Sequence, residues 1–346
     1  MNISELGEFP LIKRLTEDIK IYHPKETIMG VGDDAAILAP LGTTPITTPT
    51  TTYQVVTTDL LVENVHFDLT YVPLRHLGYK AVAVNLSDVF AMNATPKQIT
   101  VSIAVSSRFT VEALDELYAG IKLCCDKYKV DLAGGDTTSS TSGLIISVTA
   151  LGTTEVPVKR DGAKENDILC VSGDLGSAYA GLQLLEKEKR HFLANPDMQP
   201  DFKDFSYVLE RQLKPEPRAD IIKLLRERGV RPTSMIDISD GLSSEILHIA
   251  TASNAGAVIY ENKIPIDTET YRALEQFNIM PLTAALNGGE DYELLFTVSP
   301  SDYDKIAHTR EIRPIGHITE AATGCNLVPE NGALIPLSAQ GWQSFG

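Results

Sequence analysis

The chain has 346 residues, 43% of them apolar and 22% charged, with 30 basic against 46 acidic side chains and a formal net charge of −16. This length suits two domains of a soluble globular protein better than one core. The negative balance excludes nucleic acid and anionic membranes as partners, and a phosphorylated substrate would need metal ions between it and the protein.

Residues 1–20 are predicted as a short helix with Phe9, Leu11, Ile12 and Leu15 on one face. GVGDDAAIL (30–38) is a Gly-Asp turn running into an apolar strand, and the Thr/Pro-rich stretch 41–54 is a hairpin or loop. QVVTTDLL (54–61) is a strand ending on Asp59. Residues 77–94 repeat apolar side chains at helical spacing, 99–105 form a strand, and 110–128 form an amphipathic helix capped by Thr110. VDLAGGDTT (130–138) is a strand ending in a Gly-Gly-Asp turn, followed by a strand at 144–153.

The second half begins near 155. It has a buried strand and glycine turn at 166–176, a helix at 176–189, and a polar, proline-bearing stretch at 191–217 that ends in KPEPR. A helix at 219–229 stops at Gly229. Residues 234–254 are a strand, turn and long helix; 257–266 is a strand, and NGGEDYELLFTV (287–298) a turn and strand. The alternation is that of an α/β protein, and Asp-rich turns in both halves hint at two related units. The four cysteines, Cys124, Cys125, Cys170 and Cys325, form no CxxC pair and are expected reduced, in or near the core. The N-terminus lacks the apolar region of a signal peptide, and no apolar run approaches the roughly 20 residues of a membrane span, so a cytoplasmic location is expected.

The acidic residues are not spread as an even solvated surface. Asp33 and Asp34 in GVGDD, Asp59 in TTD, Asp88 in NLSD, Asp136 in GGD, Asp237 and Asp240 in DISDG, and Glu290 and Asp291 in GGED occupy the ends of apolar strands, flanked by glycine or hydroxyl residues. An ionised carboxylate is costly there unless a cation offsets it. Magnesium is usually held by a few carboxylates together with substrate phosphates, and Thr57, Thr58 and Ser239 could add oxygen ligands or hydrogen bonds. A single Asp-Gly pair is an ordinary turn; six separate clusters in one chain indicate a metal site.

GVGDDA fits the dinucleotide fingerprint loosely at Gly30, Gly32 and Ala35, but two aspartates would face the pyrophosphate and the following AAIL continues as strand. There is no GxxxxGK[ST] loop, HExxH or GxSxG. His66 in ENVHF and Arg160 in VKRDGAK have bland readings as loop histidine and surface arginine, beside functional ones as substrate and phosphate contacts.

In this order, GVGDDAAIL, TTDLLVENVHF, YKAVAVNLSDVFAMNATP, GGDTT, KPEPR, IDISDGL and GGEDYELLF resemble the signatures of the thiamine-monophosphate kinase family, within the superfamily of aminoimidazole ribonucleotide synthetase. The resemblance runs from Gly7-Glu8-Phe9 to Gly341-Trp342, although the threonine-rich 43–52 stretch is longer than the family pattern. It implies an α/β fold of two domains, 1–153 and 154–346, the first dimerising through its sheet. It implies ATP and thiamine monophosphate as substrates and several Mg²⁺ ions.

Carried over by residue, the resemblance implies metal ligands at Asp34, Thr57, Thr58, Asp59, Asp88, Asp136, Asp237 and Asp240, with Asp33 adjacent to them. It implies nucleotide contacts at Gly135, Asp136, Arg160, Ser239 and Tyr118, and substrate contacts at His66, Glu290 and Trp342. Trp342 is equally readable as a stacking partner for a thiazolium or pyrimidine and as a C-terminal anchor. Two alternatives remain at this stage: another ATP-dependent synthetase of the superfamily, and a non-catalytic Mg-nucleotide sensor. A selenophosphate synthetase would carry a reactive cysteine early, whereas the first cysteine here is Cys124.

Overall fold

A computed structural model describes residues 8–39, 52–197, 202 and 204–340. Trp342 and the threonine-rich stretch up to residue 51 lie outside the described residues. In the first half the elements are α1 (Glu8–Thr16), β1 (Thr27–Met29), β2 (Ala36–Leu38), β3 (Tyr53–Val62), α2 (Leu74–Ala91), β4 (Thr95–Val105), α3 (Val111–Tyr128), β5 (Asp131–Ser139) and β6 (Leu144–Thr154). They build a six-stranded sheet in the order β1-β2-β3-β6-β4-β5, with β4 and β5 parallel and the remaining pairs antiparallel.

The alternation of β6 shows why the sheet has a covered face. Leu144, Ile146, Val148 and Ala150 are fully buried, while the residues between them keep some exposure. Helix α2 packs on the sheet, and every residue from Leu77 to Ala91 except Asp88 is buried. A helix apolar all round must be covered all round. Here the sheet covers one side, α3 another, and the second half of the chain the third. Helices α2 and α3 cross at two glycines. A Cβ at Gly78 would lie 2.0 Å from the Leu117 carbonyl oxygen, and one at Gly120 would lie 1.9 Å from that of Arg75.

The second half contains β7 (Ile168–Ser172), α4 (Ser177–Ala194), α5 (Ser206–Leu213), α6 (Ala219–Glu227), β8 (Ser234–Asp237), α7 (Leu242–Ser253), β9 (Ala255–Tyr260), α8 (Thr268–Glu275), α9 (Pro281–Asn287), β10 (Leu294–Val298), α10 (Pro300–Tyr303), β11 (Ile312–Glu320), β12 (Cys325–Val328) and β13 (Ile335–Pro336). Seven of its strands form a second sheet, β13-β12-β9-β11-β7-β10-β8, antiparallel except for β9 with β12. The α/β class is as expected. The two sheets differ in strand number and order.

Several local expectations change. Asp59 lies inside β3, which continues to Val62 because Leu60 to Val62 still pair with β6. Asp88 sits on α2, not at a strand end. Gly134-Gly135-Asp136 forms no turn; β5 runs straight through it, paired with β4. The Gly135 position instead serves close approach, since a Cβ there would meet the Val101 carbonyl at 1.8 Å. The polar stretch 191–217 contains α5, whose Val208 and Gln212 are buried. Ile12 and Leu15 of α1 are exposed, so that part of the apolar stripe is not core. Thr110 does cap α3, accepting from the Ala113 amide at 3.2 Å, and Gly229 follows α6 with a φ of +61°. Cys124, Cys125 and Cys170 are buried, Cys325 is partly so, and all four are free.

Gly78→Ala should lower unfolding stability by about 2–3 kcal/mol, because its methyl must push apart two helices already in backbone contact. Urea unfolding checks this; an unchanged midpoint would contradict the close crossing.

Candidate active site

Three carboxylates from distant parts of the chain converge. Asp34 lies in the turn before β2, Asp88 near the end of α2, and Asp237 closes β8; one oxygen of each lies within 4.8 Å of the others. Hydroxyls hold two of them. Thr57 on β3 donates to Asp88 at 2.6 Å, and Ser87 donates to Asp237 at 2.6 Å, joining α2 of the first half to a strand end of the second. Asp34 Oδ2 is buried with no hydrogen-bond partner among the described residues.

Water is largely excluded and like charges are close, so every member of the group resists ionisation. Burial, then Asp237 and Asp33, push Asp34 up to about 8 despite the opposing pull of Arg160. Burial, then Asp237, push Asp59 up to about 6. Asp88 is raised by burial and by Asp59, Asp237 and Asp34. Asp237 is raised by burial, against the Ser87 hydrogen bond and the Arg160 charge. A cluster of hard oxygen donors with an unsatisfied acceptor and mutual repulsion fits a hard divalent cation such as Mg²⁺.

Arg160 opens a short 3-10 turn, Arg160–Gly162. Its guanidinium hydrogen-bonds Asp34 and lies 3.7 Å from Asp33. Its backbone N–H donates to Asp33 at 3.1 Å. Gly162 is needed two residues on, because a Cβ there would lie 1.8 Å from the Thr233 carbonyl oxygen.

Between the two halves lies a cavity of about 670 Å³. Asp59, Asp88, Arg160, Asp237, Ser239 and Asp240 contribute to its wall, as do His66 and Glu290. His66 Nδ1 accepts from the Val62 amide at 3.0 Å. Glu290 is locked from both sides: Lys80 Nζ lies 2.9 Å from Oε1, and Gln212 donates to Oε2 at 2.7 Å.

The GGEDYEL segment alternates between two duties. Asp291 accepts from the amides of Gly176 and Ala178, at 2.7 and 3.3 Å, at the start of α4. Glu293 pairs with Arg211 at 2.7 Å and with Arg218 of KPEPR. Glu290 and Tyr292, which alternate with them in sequence, line the cavity. KPEPR also supplies Glu216, which accepts 2.6 Å hydrogen bonds from Tyr79 and Tyr128 of the first half.

Other expected positions lie apart. The Thr58 hydroxyl donates to the Val148 carbonyl at 3.0 Å, its side chain alternating with those of Thr57 and Asp59 along β3. Gly135 and Asp136 are exposed on edge strand β5, where Asp136 accepts from the Thr137 amide at 2.8 Å. Tyr118 packs half-buried against the first core. None of these four lines the cavity. Conversely, Lys80, Gln212, Glu245, His248 and Tyr292 line it without having been singled out. Lys80 was findable: with Val84 and Asp88 it forms one i, i+4, i+8 stripe in an otherwise apolar helix. Glu245 and His248, three apart after DISDG, share a face of α7.

Residues 32–154 match the family described as AIR synthase related protein, N-terminal domain. The first half therefore carries an AIR-synthase-related domain, within a chain of α/β fold. It is 33% identical over 347 residues to the thiamine-monophosphate kinase of Bacillus subtilis, covering 98% of this chain and 100% of the relative. It is 36% identical over 349 residues to that of Buchnera aphidicola subsp. Schizaphis graminum, covering 99% of each. The solved structure of AaThiL complexed with AMPPCP and TMP superposes with a TM-score of 0.83 at 31% identity, over 99% of this chain and 98% of that one. The chain belongs to the thiamine-monophosphate kinase family.

Raised carboxyl pKa values contribute stability that is complete below the ordinary value near 3.8 and is lost as pH rises through the folded values, about 6 for Asp59 and about 8 for Asp34. The metal-free protein should therefore melt at progressively lower temperature between pH 5 and pH 8.5, as read by differential scanning fluorimetry. Mg²⁺ should raise the melting temperature more at pH 8.5 than at pH 5; an equal rise at both would contradict binding at this cluster.

Proposed function

We propose that this protein transfers the terminal phosphoryl group of ATP directly to thiamine monophosphate, giving thiamine diphosphate and ADP with several Mg²⁺ ions. The observation that carries this reading is the convergence of Asp34, Asp88 and Asp237 from both halves beside a closed-in cavity, in a chain of this family.

The metal ligands proposed are Asp33, Asp34, Thr57, Thr58, Asp59, Asp88, Asp136, Asp237 and Asp240. The nucleotide contacts are Gly135, Asp136, Arg160, Ser239 and Tyr118, and the acceptor contacts His66, Glu290 and Trp342. For Thr58, Gly135, Asp136 and Tyr118 the support is the sequence motif alone, since they lie outside the cavity wall. The proposed domains are 1–153 and 154–346; β6 ends at Thr154 and the next strand belongs to the other sheet.

A phosphate monoester is largely ionised at neutral pH, so the acceptor oxygen is already nucleophilic and no general base is required. Bound Mg²⁺ supplies neutralisation of the two polyanions and stabilisation of charge on the transferring group. The chain supplies alignment. Asp34, Asp88 and Asp237 would hold the ions, Arg160 offers the site a fixed cation, and Lys80 with Gln212 keeps Glu290 in one orientation. We also propose a cytoplasmic homodimer formed through the first sheet. The support is the exposed Leu60 and Leu132 on β3 and β5, the free cysteines, and no described helix long and apolar enough to cross a membrane.

Asp88→Asn should reduce thiamine diphosphate formation by about 100-fold or more, since it removes a charge that holds metal. Its metal-free melting temperature at pH 8.5 should not fall, because one repelling charge is gone. A variant that fails to fold would make Asp88 a structural residue instead. Rapid-quench sampling with radiolabelled ATP should trap no phosphorylated protein; a labelled chain would overturn direct transfer.

A further inference from the structure

Glu290 and Tyr292 are both non-glycine residues in the left-handed region, with φ of +57° and +50°. A bulky side chain at positive φ is unfavourable and persists only where the surroundings impose it. The surroundings here are rigid. The Glu290 amide donates to the Ser239 carbonyl at 2.6 Å, and that of Tyr292 to the Ile238 carbonyl at 2.9 Å. Asp291 and Glu293 are fixed through the start of α4 and through Arg211. Glycine would occupy position 292 without strain, so the backbone alone does not explain a tyrosine. Its side chain lines the cavity.

The hydroxyl has no hydrogen-bond partner among the described residues. Burial, then the charges of Glu290, Asp59, Asp237 and Asp88, hold the phenol on the protonated side. A neutral donor thus lines the same cavity as Asp59, Asp88, Asp237 and Glu290. Neutrality matters there. A lysine or arginine in that position would be drawn into an ion pair with the aspartates, as Arg160 is with Asp34. A phenol remains available to an incoming anion and cannot lose its proton to a neighbouring carboxylate.

We propose that the Tyr292 hydroxyl donates a hydrogen bond to the phosphate group of the acceptor, fixing that phosphate between the metal cluster and Glu290. This rests on the phosphotransfer reading above and adds a contact that none of the sequence motifs assigned.

The test is Tyr292→Phe, which keeps the ring and removes one oxygen. Calorimetric binding in the presence of Mg²⁺ compares thiamine monophosphate with thiamine, which lacks the phosphate, on both proteins. The variant should bind thiamine monophosphate about 10-fold or more weakly, the usual scale for a lost hydrogen bond to a charged group. Its affinity for thiamine and its KM for ATP should be unchanged. Equal affinity of both proteins for thiamine monophosphate overturns the proposal. So does a parallel loss for thiamine, which would place the hydroxyl against the heterocycle. Wild-type protein that binds thiamine monophosphate but forms no thiamine diphosphate would overturn the proposed reaction and leave the binding comparison intact.

Discussion

Everything in this molecule is arranged around a repulsion. Asp34, Asp88 and Asp237 are held close enough to share one cation, in surroundings that make each resist ionisation. Such a group does not assemble by its own attraction; the packing on either side must impose it. Helix α2 provides that. Its apolar surface is sunk between the first sheet, α3 and the second half, and Asp88 alone in its buried run retains exposure, toward the cavity. Ser87, one residue earlier, grips Asp237. One helix therefore carries one carboxylate of the cluster and the hydroxyl that fixes another.

The second half answers with a buried ion network. Arg211 and Arg218 converge on Glu293, and Asp291 caps the start of α4. The isolated worth of buried pairs is small, because desolvation offsets much of their attraction. Their consequence here is positional: they pin alternate residues of GGEDYEL, so that Glu290 and Tyr292 stay turned to the cavity in an unfavourable backbone conformation. KPEPR and GGEDYEL, far apart in the sequence, are the two sides of this joint. Glu216 ties it to Tyr79 and Tyr128 of the first half.

Much of this was legible from residues alone. Helices α2, α3, α4, α6 and α7 follow their apolar periodicity, and β4, β6, β7, β8 and β10 their apolar runs. What misled was short-range turn chemistry. Gly-Gly-Asp at 134–136 reads as a turn, but β5 needs small residues there because the Val101 backbone lies against it. Helix α5 hid in a polar stretch because only Val208 and Gln212 are buried. Among the residues at the carboxylate cluster and the cavity wall, Asp34, Asp59, Asp88, Asp237 and Asp240 stand out in the sequence because carboxylates beside apolar runs are anomalous. Lys80 and Tyr292 were missed because a lysine in a helix and a tyrosine before a strand are not.

The sequence by itself determined that carboxylates stand beside apolar runs, where a cation would have to offset them, and that strands and helices alternate as in an α/β protein. The apolar runs around each aspartate mark the first, and the hydrophobic periodicities mark the second. Only the tertiary structure decided which of those carboxylates meet. Asp34, Asp88 and Asp237 are brought together by the burial of α2 between the halves, whereas Asp136 stays exposed on edge strand β5. Local pattern records that a charge is out of place. Which charges share a site depends on how distant apolar faces close over one another, and no window of sequence contains that.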